Sequence, residues 1–301
     1  MINKEEAIFL QTIKDSYIYS FDRSHEPMAR VQLNEVFAVE TLDCYGGTFT
    51  SESQLREDYP DLKINGATGP IFVEGVKAGD TLVVEILQID LDDKGVMITM
   101  PGLGLLGEEI TESETRILPV DDDHAVLDGR VKIPLNKMIG VMGVAPKNEP
   151  VATESPGDHG GNLDTKEITA GNKVYFPVAT DGALLALGDM HAAMGDGELN
   201  GTGIEIGGTA ILRVKKKENM TITTPIVETD THTMFLNSAK DFDEAVKGSM
   251  AIAVDWLQQK HDLKYSDAYR LLTAVGDIKV SQLVNPQVTV RVAIPRSILQ
   301  L

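Results

Sequence analysis

The chain has 301 residues, 42% of them hydrophobic and 24% charged, so it can bury a sizeable core as one elaborate domain or two interlocked ones. Its 46 acidic residues outnumber 27 basic ones, and the net charge of −19 argues against nucleic-acid and membrane partners. A single cysteine, Cys44, excludes an internal disulfide; with no basic-then-apolar leader and no apolar run near ~18 residues, the expected location is cytoplasmic.

From the start to about Leu236 the chain reads as short strands broken by turns. The apolar run from Val36 to Val39 precedes Asp43-Cys44-Tyr45-Gly46-Gly47. Residues 81–91 are rich in β-branched side chains, and Asp92 to Gly95 supplies a turn before a strand at 96–100. A strand pair is predicted at 173–178 and 183–187, joined through Asp181-Gly182. Residues 209–214 and 222–227 extend the pattern. Strands of this length and spacing suggest sandwich or barrel units rather than βαβ repeats.

The texture changes after Ser238. Residues 241–260 carry helix formers, with Asp241 and Asp243 where carboxylates suit the helix dipole. Ser266 is a plausible N-cap for a second helix over 267–274, which Gly276 would stop. A final strand over 287–294 ends at Pro295. The predicted fold is mainly β: a sandwich- or barrel-like body over 1–237, with a smaller α+β part over 238–301 packed on it.

The densest chemistry lies in Gly188 to Glu198, which holds His191, three carboxylates and three glycines in eleven residues. Asp189 and His191 are spaced i, i+2, which on a strand puts both side chains on one face. Both are zinc-ligand types, although a structural Asp–His hydrogen bond would use the same spacing. Glu198 suits a general base or acid. Asp196 before Gly197 is equally a turn-maker. Glu205 is either a further site carboxylate or a solvated strand residue. Upstream, His159-Gly160-Gly161-Asn162 allows close backbone approach to an oxyanion, with Asn162 placed to orient a carbonyl; a surface loop is the plainer reading. Asp43 either reaches into a cleft or caps its turn. Cys44 lacks the neighbours of a reactive thiolate and reads as a small buried hydrophobe. Pro101 to Gly107 matches no phosphate-binding pattern and reads as a shaped loop, a candidate pocket wall.

Taken together, Gly69 to Gly75, Gly79 to Ile86, Pro101 to Gly107, Ile139 to Pro146, His159 to Asp164 and Gly188 to Glu198 resemble the acetamidase/formamidase family, over about Glu26 to Pro295. The family commonly carries Gln where this chain has Met194. The resemblance implies a mainly β fold, a homo-oligomer, and hydrolysis of a small neutral amide such as acetamide or formamide to carboxylate and ammonia. The expected mechanism is water activated by a divalent ion, zinc first, held by Asp43, His159, Asp189 and His191. Glu198 is then the base, with Asn162 and Asp196 beside it. The rival readings are a γ-lactam hydrolase and a non-catalytic, metal-stabilised small-ligand-binding β-sandwich.

Overall fold

The computed structural model describes residues 10–299. Two large sheets dominate. A nine-stranded sheet runs in the order Thr12–Ile13, Val36–Thr41, Gly208–Lys217, Thr81–Leu91, Lys173–Pro177, Ile226–Glu228, His232–Ala239, Val288–Pro295 and Asp277–Gln282. The ten-stranded sheet has Met138–Gly143 and Leu185–His191 side by side at its centre, with Ala67–Val73 and Glu205–Ile206 also pairing with the latter. Phe37, Leu82, Ile86 and Leu212 from the first sheet share one core with Ile71, Ile139, Leu185 and Leu187 from the second, so the two sheets pack face to face. The mainly β expectation holds.

Burial explains why alternation fades in the middle of the sequence. All seven residues of Leu185–His191 are buried, so this strand has no solvent side to mark with polar residues. The same strand corrects the predicted hairpin at 173–187. Lys173–Pro177 pairs with Thr81–Leu91 in one sheet, while Leu185–His191 belongs to the other. Gly182, Ala183 and Leu184 all have positive φ (74°, 59° and 56°), and this left-handed stretch carries the chain across the sandwich instead of folding it back.

Helix α1, Phe242–His261, is N-capped by Asp241, whose side chain accepts from the Glu244 backbone N–H. Its buried face (Ala245, Ala253, Val254, Leu257) covers Phe235, Val292 and Ile294 of the nine-stranded sheet. Burying a side chain such as Leu257 contributes roughly 1.5–3 kcal/mol. Helix α2, Tyr265–Val275, starts two residues before the expected position: Lys264, not Ser266, is the N-cap, and it makes no side-chain cap bond. Gly276 does end it. His232–Ala239 and Val288–Pro295 pair along their full length, so the sheet runs on past residue 237. Among the described residues, no helix is long and apolar enough to cross a membrane.

Candidate active site

The site is built where the two central strands of the ten-stranded sheet depart from regular geometry. Asp189, inside Leu185–His191, has φ 54°. Gly140 lies across from it, between the pairs Ile139–Met190 and Val141–Gly188. A Cβ at position 140 would stand 2.6 Å from Asp164 Oδ1 and 2.7 Å from the Asp189 carbonyl oxygen, so only glycine leaves room for both aspartates. Asp164 (φ 41°), Glu198 (φ 47°) and Asn65 (φ 54°) share the left-handed conformation. Asp and Asn tolerate it through local hydrogen bonds, whereas for glutamate it is a real strain of order 1–3 kcal/mol. Such strain persists only where the surroundings hold it.

His191 is fully buried. Its Nε2 lies 3.2 Å from Glu205 Oε2, 3.5 Å from Asp189 Oδ1 and 3.9 Å from Asp164 Oδ1. Neither ring nitrogen has an aligned hydrogen-bond partner, and Glu205 Oε2 has none either. Asp164, His191 and Glu198 present three ligand-type atoms within 4.8 Å of one another; Cys44, Asp189 and Glu205 do the same. Three asparagines hold the carboxylates. Asn65 Nδ2 donates to Asp189 Oδ2 at 3.1 Å, and Asn285 Nδ2 donates to Asp164 Oδ2 at 2.7 Å. Asn162, with its amide oriented to suit its neighbours, donates to both Asp164 and Asp189 at 3.1 Å and accepts from Asn65 and Asn285. A cavity of about 220 Å³ opens onto Asp189, Glu198 and Glu205, walled by Ile64, Ile98, Met100 and Leu103. Leu103 comes from the Pro101 to Gly107 loop.

The acetamidase/formamidase sequence profile matches residues 13–154 and 147–301. The chain belongs to the acetamidase/formamidase family. An acetamidase from Bacillus halodurans superposes with a TM-score of 0.93 at 41% identity, covering 95% of this chain and 97% of that one. An acetamidase from Yersinia enterocolitica gives 0.89 at 25%, with 95% and 90% covered. A formamidase from Methylophilus methylotrophus is 27% identical over 67% of this chain, and the match spans 64% of the formamidase's length. A γ-lactamase from Delftia acidovorans, at 22% identity and a TM-score of 0.67 over 97% of this chain and 94% of its own, shares the fold.

In this acetamidase/formamidase-family chain, charge balance is the site's governing problem. Four buried carboxylates face one imidazole, and among the described residues no lysine or arginine ion-pairs with any of them. Burial raises Asp164 to about 6, and the Asp189 charge adds to it. Burial raises Glu205 to about 8, with His191 opposing and Asp189 reinforcing. Glu198 is pushed well up by burial and then by Asp164. Burial alone would lower His191, but Glu205 and Asp189 outweigh it and hold the imidazole well above its usual range. Excess negative charge in a dry site is relieved by bound protons or by a cation. Carboxylates with one imidazole form a donor set suited to a divalent metal. In four-coordinate zinc, bonds of about 2.0–2.1 Å place ligand atoms a little over 3 Å apart, close to the shorter separations around Nε2.

Asn162, Asp189, His191 and Glu198 therefore meet in one place, as the sequence motifs suggested they could. Three other candidates are not members of either ligand-type group. Asp43 Oδ1 accepts from the backbone N–H groups of Tyr45 (2.8 Å) and Gly47 (3.0 Å), the turn-capping alternative. The Asp196 carboxylate is taken by Arg291 and Lys166. The His159 ring packs edge-on against Phe21 at 5.0 Å and beside Gly161. Four contributors went unassigned. Glu205, open to a solvated reading, is only 2% exposed and packed against His191. Asp164 stood inside a noted motif. Asn65 and Asn285 carried no signal beyond Asn-Gly and Asn-Pro turn chemistry. Cys44 is a buried small side chain as expected, its thiol pushed well up by burial.

His159 yields a stability prediction. Burial lowers its pKa from 6.5 to about 4, so the folded protein keeps the ring neutral where the unfolded chain protonates it. Between those values the unfolded state binds the extra proton. The ring's contribution is complete above pH 6.5 and is lost as pH falls to 4. Wild type should lose roughly 3 kcal/mol more than His159→Gln across that window, measured by chemical denaturation at both ends. Equal losses in the two proteins would show that the ring is not held neutral.

Proposed function

We propose that this chain hydrolyses short aliphatic amides, with acetamide and formamide as the first candidates, using water activated at a divalent cation, zinc first. The observation that carries this reading is His191 Nε2, without an aligned hydrogen bond yet within 4 Å of three buried carboxylates. Family membership and the similar acetamidases and formamidase support the reaction class. His191, Asp164, Asp189 and Glu205 would hold the cation, with Asp43 and His159 outside the set. When bound, the cation supplies Lewis acidity, lowering the pKa of a water and polarising an amide carbonyl.

The chain's own groups do the rest. Glu198, with its proton affinity raised by burial and by Asp164, takes a proton from the attacking water. A C–O bond forms, the C–N bond breaks, and Glu198 returns the proton to the departing nitrogen, which leaves as ammonia. Asn65, Asn162 and Asn285 fix the carboxylates, so the site need not reorganise during the reaction. Ile64, Ile98 and Met100 offer an apolar wall to the acyl group, and a cavity of about 220 Å³ favours short chains.

The test is ammonia release from formamide and acetamide, using untreated protein, chelator-stripped protein, and stripped protein with zinc restored. Release should vanish on stripping and return with zinc. Full activity after verified metal removal would sink the cation's role. No release in any metal state, together with opening of a γ-lactam, would move the substrate class to cyclic amides.

A further inference from the structure

Arg291 is fully buried on the strand Val288–Pro295, and its guanidinium is surrounded by acceptors, with both Nη groups hydrogen-bonded and Nε at ion-pair distance from Glu167. Nη1 donates to the Val280 carbonyl at 2.6 Å and to Ser281 Oγ at 3.2 Å. Nε and Nη2 grip Glu167 at 2.8 and 3.0 Å. Nη2 also donates to Asp196 Oδ1 at 2.6 Å, the same oxygen that Lys166 reaches at 3.2 Å. One side chain thus ties the edge of the nine-stranded sheet to the segment after Asp164 and to the turn that carries Glu198. A buried arginine is costly unless its geometry is satisfied, and a hydrophobic side chain would pack this sheet without it.

The turn it grips is the one that needs restraint. Glu198 has φ 47°, and its own N–H reaches the Gly195 carbonyl only at 3.3 Å. Gly197 is stitched to the strap 281–283 from both sides: its N–H donates to the Ser281 carbonyl at 3.0 Å, and its carbonyl accepts from Leu283 N–H at 3.1 Å. The strap continues into the site. Gln282 Oε1 accepts from the N–H groups of Val284 and Asn285, which sets Asn285 on Asp164. The arm through Asp196 starts at Nη2, and the arm through Asn285 starts beside Ser281, which Nη1 holds.

We propose that Arg291, acting through Asp196, is a positioning residue that holds Glu198 in its left-handed conformation at the correct distance from Asp164. Asp196 is on this assignment a strut, not a proton carrier. The kinetic part of the inference rests on the proposed role of Glu198; the structural part does not.

The test uses Asp196→Ala and Asp196→Asn in the full chain, because the Asp196 side chain is one-third exposed and Arg291 keeps Glu167, Val280 and Ser281 when it is removed. Asn keeps an oxygen for Arg291; Ala does not. Hydrogen–deuterium exchange over residues 195–201 should quicken about tenfold or more in Asp196→Ala and return toward wild type in Asp196→Asn. Ammonia release from the preferred amide should fall about 10²-fold in kcat with little change in KM for Ala, and largely recover for Asn. Unchanged exchange in Asp196→Ala overturns the proposal whatever the turnover. Equal inactivity in both variants with wild-type exchange also overturns it, and makes Asp196 a proton-transfer group. If wild type hydrolyses no amide, the proposed function fails while the exchange result still decides the positioning role.

Discussion

Replacing His191 by alanine lowers kcat/KM for the preferred amide by at least ~10³-fold, about 4 kcal/mol of transition-state stabilisation. The imidazole is the centre from which Glu205, Asp189 and Asp164 are all within 4 Å, so its removal leaves the carboxylates without a shared partner. The fold should survive, because Leu185–His191 is held by backbone pairing to Met138–Gly143 and Ala67–Val73. Zinc content per chain and circular dichroism separate the two effects: the variant should be folded and zinc-poor. A folded variant with wild-type turnover would remove the proposed centre altogether.

Glu198→Gln is the second large effect. The amide is nearly isosteric but cannot accept the proton, so kcat should fall by ~10²–10⁴ while KM moves little. The same change should stabilise the metal-stripped protein. Glu198's folded-state pKa lies well above its unfolded value, so folding disfavours the ionised form. The unfolded chain releases that proton from near pH 4.5 upward, and the glutamate therefore costs stability at neutral pH and none below 4.5. Stripped Glu198→Gln should melt above stripped wild type at pH 7.5, with the gap closing by pH 4. An active Glu198→Gln would reassign the base; a variant that is both inactive and less stable at pH 7.5 would show Glu198 to be a structural carboxylate. Function maintained at the expense of stability is common where charge is buried for chemistry.

Much of this molecule is written locally. The β-rich plan up to about residue 236, the acidic start of α1 and the stop at Gly276 follow from strand periodicity, the helix dipole and turn chemistry, which act over a few residues. The cluster of Asp189, His191 and Glu198 was legible for the same reason: all three lie within ten residues and share glycines that relax the backbone. Asn162 could be suspected from its two preceding glycines.

The assembly of the site was not legible in this way. Asn65, Asp164, Glu205 and Asn285 come from four separate segments, and their convergence depends on strand register and on left-handed residues that no local pattern announces. Glu205 on a two-residue strand is solvated or buried according to what pairs beside it, and here Leu185–His191 covers it. Asp43 and His159 have the right chemistry, but Asp43 Oδ1 accepts from its own turn, the His159 ring packs on Phe21, and neither belongs to the two ligand-type groups. Sequence alone therefore determined the element types, the family resemblance and the kinds of side chain available for chemistry. Tertiary structure decided which of them meet, because ligation and proton transfer act over 3–4 Å while the contacts that fix those atoms join residues more than one hundred positions apart.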